Sequence, residues 1–394
     1  MLALLAPGQG AQTPGFLTPW LEVPGFTERL DWLSAVAGLD LRHHGTEADA
    51  DTIRDTAVAQ PLLVASGLLG ALALFPQPAD AYKLVGAAAG HSVGEITAAA
   101  GSGVITAEQA MVFVRERGNA MAEASAATPT GMTALLGGDR DAVLAKLEEH
   151  GLTPANDNGS GQIVAAGTTE QLEALQADPP EGARLRPLSV AGAFHTHHMA
   201  PAVARLEHLS SAISTHDPRL RLLSNADGAV VHDGRDVLAR LVGQVSAPVR
   251  WDLVMRTLGS LGVTGVIEVP PAGTLTGLVK RGLKGVDTCT LKTPDDLDEA
   301  RAFAERHGSP NLLDDAPTWR LVVAPFGGTF KSGDAELGET LPPGAPVGAV
   351  VNRRDSRTVT AASGGTLIEW LVEDGDPVSP GQPLLRLHPE EVPA

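Results

Sequence analysis

The stretch GAAAGHSVGEITAAAG, residues 86–101, decides how the chain is read. At its centre Gly90-His91-Ser92-Val93-Gly94 forms a G-x-S-x-G pattern. In such patterns the serine sits on a sharp strand-to-helix turn, and the glycines let the backbone crowd together. Residues 84–88 in front of it read as a short buried strand, and residues 95–101 behind it as a helix. An unassisted serine is a weak nucleophile. A base, an oxyanion site and a substrate anchor must therefore come from elsewhere in the chain.

Outward from this turn, residues 2–6 read as a second buried strand and residues 107–122 as a helix after Thr106, a good N-cap. Alternating strands and helices predict an α/β fold, with an α/β-hydrolase-like core and a mostly parallel sheet. The charge-free run PLLVASGLLGALALF, residues 61–75, is short for a membrane span and reads as a buried core helix. From residue 128 the order strand, helix, strand, strand, helix, strand predicts an inserted ferredoxin-like subdomain over 128–192. The core is then 1–127 plus 193–293, and the acidic stretch 294–317 reads as a linker with one short helix. In 318–394, VVAPFGGTF at 322 matches VTAASGGTL at 359, an offset of 37 residues, and two further matches keep that offset. Two copies of a β-rich half-unit are expected there, in a C-terminal all-β domain.

Composition bounds the function. The chain has 394 residues, 43% of them hydrophobic, which suits two or three globular domains. A net charge of −18 argues against a nucleic-acid partner. The single cysteine, Cys289, excludes an intrachain disulfide and suits a cytoplasmic setting. The N-terminus MLALLAPGQG lacks the basic start of a signal peptide, so no membrane partner is expected.

The strongest candidate base is His195 in SVAGAFHTHHM, where the inserted segment returns to the core. A metal site at His195, His197 and His198 is disfavoured, since no cysteine or acidic cluster accompanies them. No metal and no cofactor are expected. His197 and His198 read as solvated, His43 and His44 as loop residues, and His91 as shaping the turn. The oxyanion site should pair the N–H of Val93 with one from the loop APGQGAQ, residues 6–12, where Gly8 and Gly10 flank Gln9.

APGQGAQ, GHSVGE, VRERGNAM, ANDNGSGQIVAAG, GAFH and QVSAPVRW occur in the order found in malonyl-CoA:acyl carrier protein transacylases. The chain resembles that family over about residues 1–293, with wording nearest its actinobacterial members. The resemblance implies that Ser92 is acylated, that His195 is its base, and that Gln9 and Val93 donate backbone N–H groups to the oxyanion. It further implies that Arg117 binds the free malonyl carboxylate, a task suited to a permanently charged, two-pronged donor. A main-chain carbonyl near PVRW would orient the histidine, with Arg250 standing where glutamine is expected. Phe194 would line the acyl pocket and disfavour a branched acyl group, a preference of about 1–3 kcal/mol.

The implied reaction is ping-pong transfer of malonyl from malonyl-CoA to the phosphopantetheine thiol of an acyl carrier protein, in fatty acid or polyketide synthesis. Because such carriers are acidic, Lys280, Arg281 and Lys284 in VKRGLKG are the candidate docking patch. A serine esterase or thioesterase is the alternative; it would want an acidic third residue and no Arg117 anchor. The C-terminal repeat resembles the biotinyl/lipoyl domain, a flattened barrel of two halves. Arg354 stands where that family carries its modified lysine, and Lys331 lies in the first half. An unmodified domain used for docking or stabilisation is expected, because guanidinium is a poor nucleophile near neutral pH.

Overall fold

The computed structural model describes residues 1–190, 192–308, 320–362 and 364–388. The chain divides into two compact units, 1–311 and 312–394. The first is built on a six-stranded sheet. Its order is Asp287–Thr290, Gly265–Glu268, Leu2–Ala6, Val85–Gly90, Arg221–Leu223, Val230–Val231. All neighbours run parallel except the last pair, which is antiparallel.

Helices cover both faces, so the central strands are apolar throughout rather than alternating. Leu2 and Ala88 point into one core cluster, while Ala3, Leu5, Ala87 and Ala89 point into the other. The run singled out as a core helix belongs to Thr56–Leu74, packed in the larger cluster beside the helix Ala107–Ala127. It is long and apolar enough to cross a membrane, yet 67% of its most apolar window is buried inside the protein.

A second sheet rises from residues 130–187. It orders Ala183–Pro187, Thr130–Gly137, Gln162–Thr168 and Thr153–Asp157, all antiparallel, and Val249–Arg250 adds itself in parallel to the free edge. The helices Arg140–Glu149 and Thr169–Ala177 supply Val143, Leu147 and Leu175 to its core.

One expectation needs correction. Residues 294–317 do not begin as a linker. The helix Leu297–His307 buries Leu297, Ala300, Phe303 and Ala304 in the main core. Its acidic residues occupy the opposite face, which an averaged charge count cannot reveal. The rest of that stretch, 309–317, lies outside the described residues. His43 and His44, expected in a loop, sit on the short helix Leu41–Thr46, which Asp40 caps through the His43 amide.

The second unit holds two four-stranded sheets around Phe330, Val347, Val350, Leu367 and Leu384. Adding 37 to the residue number carries Arg320–Val323 near Ser356–Ala361, Gly328–Ser332 onto Gly365–Trp370, Thr340–Leu341 onto Pro377–Val378, and Ala345–Val351 near Pro383–His388. The same operation carries one sheet onto the other, pair by pair. The repeat is therefore an internal two-fold in which each half completes the other's sheet.

Candidate active site

Glycines 90 and 94 make the turn possible. A Cβ on Gly90 would lie 2.0 Å from the Gly94 carbonyl, and one on Gly94 would lie 2.2 Å from the Ala6 carbonyl oxygen. Between them Ser92 adopts φ 53°, a left-handed value that only over-determined surroundings impose on a serine. The His91 amide donates to the Ala6 carbonyl at 3.0 Å, which ties the turn to the loop carrying Gln9. Val93 caps the following helix, Gly94–Gly101. The amides of Gln9 and Val93 donate to no protein acceptor among the described residues. The Gln9 side chain is held away by the Arg54 carbonyl at 3.0 Å.

His195 also has positive φ, 61°, and its amide donates to the Val245 carbonyl. Nε2 lies 2.8 Å from Ser92 Oγ, and Nδ1 lies 2.8 Å from the Gln244 carbonyl oxygen. That carbonyl fixes the tautomer: Nδ1 carries the proton and Nε2 is free to accept one. Burial, and then the nearby Arg117 charge, push the imidazole down to about 3, so the ring is neutral at ordinary pH. The orienting carbonyl is that of Gln244, at the head of QVSAPVRW and near PVRW, as the resemblance implies. Arg250 is turned away, bidentate to Asp252 at 2.8 and 2.8 Å.

Arg117, on the helix Ala107–Ala127, is 1% exposed. Its neighbours Glu116 and Glu123 pair with Arg205 instead. Among the described residues the guanidinium hydrogen-bonds only to neutral partners: Gln60 Oε1 at 2.5 Å, Gln244 Oε1 at 2.8 Å and Ser92 Oγ at 3.4 Å. Desolvation pushes it down to about 10, still charged near neutrality. A buried cation without a touching anion, beside a nucleophile, is poised for an anionic ligand.

A buried network that sequence reading left without roles supports these groups. Asn225 Oδ1 accepts from the Ser92 amide at 2.8 Å, and Asn225 Nδ2 donates to the Gly90 carbonyl at 2.7 Å. Glu95 accepts from the Asn225 amide at 2.8 Å and from Gln244 Nε2. Desolvation raises its carboxyl to about 7. Glu95 and Gln244 belong to motifs already quoted; Asn225 carries no local signal at all. His91 shapes the turn through Asn158, with Nε2 2.9 Å from Oδ1, and its ring lies 5.5 Å from that of Trp251.

The remaining candidates make no hydrogen bond to Ser92 among the described residues. Phe194 is buried in the large core cluster, beside Gly192. Lys280 and Arg281 end the helix Thr274–Gly282, and Lys284 follows it; all three are exposed. His197 and His198 stack at 4.1 Å on the turn after His195.

A family profile described as "Acyl transferase domain" matches residues 5–305, which sets the class: an acyl transferase. Malonyl CoA-acyl carrier protein transacylase of Mycobacterium tuberculosis is 51% identical over 299 residues, 76% of this chain and 99% of the relative. The Escherichia coli protein of that name is 32% identical over 300 residues, 74% of this chain and 96% of the relative. The crystal structure of MCAT from M. tuberculosis superposes with a TM-score of 0.74 at 51% identity, covering 76% of this chain and 99% of that one. A malonyl-transacylase in complex with a type II PKS acyl-carrier protein gives a TM-score of 0.70 at 28% identity, covering 76% and 99%. The chain belongs to the malonyl CoA-acyl carrier protein transacylase family.

Proposed function

We propose that the first unit transfers malonyl from malonyl-CoA to the phosphopantetheine thiol of an acyl carrier protein through a malonyl ester on Ser92. The observation that carries this reading is one serine oxygen within 2.8 Å of a neutral imidazole and 3.4 Å of a buried guanidinium. Ser92 Oγ attacks the thioester carbonyl as His195 Nε2 takes its proton. The amides of Gln9 and Val93 receive the oxyanion, and collapse expels coenzyme A, whose sulfur recovers the proton from His195. The carrier thiol then attacks the ester, with His195 accepting its proton and returning it to Ser92. Arg117 pairs with the distal carboxylate throughout, and Phe194 limits branching. Water is a competing nucleophile that the carboxylate clamp holds off by fixing the acyl group.

A neutral carbonyl on His195 Nδ1, where a hydrolase triad has a carboxylate, supports transfer over hydrolysis. Intact mass after mixing with malonyl-CoA tests the reading. The parent chain should gain one malonyl group that holo-carrier protein removes, and Ser92→Ala should gain none. An adduct that survives in Ser92→Ala would overturn it.

The elbow supports reading the core, 1–127 with 193–293, as hydrolase-like, and 128–192 as an inserted ferredoxin-like subdomain. The exposed cations at 280, 281 and 284 are read as a carrier docking patch. A buried lone cysteine supports a reducing, cytoplasmic setting. The second unit is read as a biotinyl/lipoyl-like flattened barrel without a modified lysine. Two observations support this: its internal two-fold, and Arg354 in the tight turn where Asn352 Oδ1 accepts from the Arg354 and Asp355 amides at 2.8 and 2.9 Å. Lys331 lies away from that turn, on Gly328–Ser332, 3.6 Å from Asp374.

A further inference from the structure

A polar cavity of about 350 Å³ lies between the loop at 157–163 and the segment 250–256. Arg140, Arg250 and Arg256 line it, together with Asp157, Asp252, Gly138, Ser160 and Gly161. In a chain of net charge −18, three guanidiniums converging on one cavity call for a reason. Arg250 engages Asp252 through Nε and Nη2, whereas Arg140 engages Asp157 through the same atoms and also pairs with Asp141 through Nη1 at 3.7 Å. Arg250 Nη1 stays unspent, and Arg256 is exposed with no side-chain partner among the described residues.

The loop between the strands Thr153–Asp157 and Gln162–Thr168 adds backbone donors. Gly159, Ser160 and Gly161 are left-handed in succession, at φ 70°, 50° and 74°. The amides of Ser160, Gly161 and Gly138 meet no protein acceptor among the described residues. Successive unspent amides beside guanidiniums are the chemistry of phosphate recognition. The loop also touches the site: its Asn158 holds the ring of His91, the residue before Ser92. Beyond the loop, Arg281 Nη2 reaches Gln162 Oε1 at 3.3 Å, which extends the basic surface toward the 280–284 cations.

We infer that this cavity seats the phosphate of the phosphopantetheine arm, the one charged group that coenzyme A and a holo-carrier thioester share. The inference rests on the function proposed above. One phosphate seat used in both half-reactions would hold either arm in a common register, with its sulfur directed at Ser92.

The test compares three donors: malonyl-CoA, malonyl-phosphopantetheine and malonyl-pantetheine, the last lacking the phosphate. Loading of Ser92 is followed by quenched-flow mass spectrometry in the parent chain, Arg256→Ala and Arg256→Lys. Arg256→Ala should lower kcat/KM about 5- to 30-fold for the two phosphorylated donors, the loss expected for one charged hydrogen-bonding contact. It should lower discharge to holo-carrier similarly, leave malonyl-pantetheine unchanged, and be partly rescued by lysine. Loss with malonyl-CoA alone would assign the cavity to the nucleotide phosphates and overturn the inference. Equal loss with malonyl-pantetheine, or no loss with any donor, would also overturn it. If the parent chain loads malonyl from none of the three, the proposed function itself fails.

Discussion

In the proposed reaction Arg117 carries the choice of acyl group in a single side chain. Its charge is buried against neutral oxygens, and on that proposal the malonyl carboxylate is the anion that completes it. Arg117→Ala should cut kcat/KM for malonyl-CoA by about 10²–10³-fold, in line with the loss of a paired charged contact. Loading from acetyl-CoA, which offers no carboxylate, should fall far less; steady-state loading rates with the two thioesters check this. As the proposed base, His195 sets the acid limb. A free imidazole near 6.5 is mostly protonated at pH 5.5, but one held down to about 3 still accepts the Ser92 proton there. The single-turnover acylation rate of the parent chain should therefore stay nearly flat from pH 7 to 5.5. A tenfold fall across that range would contradict the depressed value.

At the scale of elements, the strand-turn-helix of the nucleophile works because its glycines admit a second strand's carbonyl. Gly94→Ala drives a Cβ into the Ala6 oxygen, and a loss of more than about 3 kcal/mol is expected in denaturant unfolding. Glu95, on the helix just behind, is a strut between two loops: one carboxylate oxygen holds the Asn225 amide and the other holds the Gln244 amide group. Its folded value, about 7, lies above the unfolded 4.5. Its contribution is therefore fully present below about pH 4.5 and is lost as pH rises through 7. Stability of Glu95→Gln relative to the parent should increase between pH 5 and 8 in matched thermal melts. Glu268 plays a comparable part remote from the chemistry. Fully buried, it accepts from the amides of Leu275 and Thr276 at 2.9 and 2.8 Å, at the start of the helix that ends in Lys280 and Arg281. Glu268→Ala leaves those donors unmet and should cost about 3–5 kcal/mol.

Across the whole molecule, the family profile ends at residue 305, before the second unit begins. That unit has its own core and its own two-fold, and intact mass of the chain from biotin- and lipoate-proficient cells should match the sequence without an adduct. The sequence by itself singled out Ser92 and its turn, the proposed base His195, the proposed oxyanion loop around Gln9, and the repeat. Each of these is written in contiguous residues whose spacing is dictated by local backbone geometry. Only the tertiary structure decided that Arg117 is buried rather than solvated, because its helix heptad reads the same whether its neighbours are water or Gln60 and Gln244. The same holds for Asn225, which is 133 residues from the serine amide it accepts from. It holds for Gln244, which of the carbonyls near PVRW is the one that receives the histidine. The acidic stretch after residue 293 shows the limit in reverse: its charge marks one helix face, and only packing reveals the apolar face buried beneath it. Hydrogen bonds between distant loops leave no periodicity in the chain, so folding is what brings these partners together.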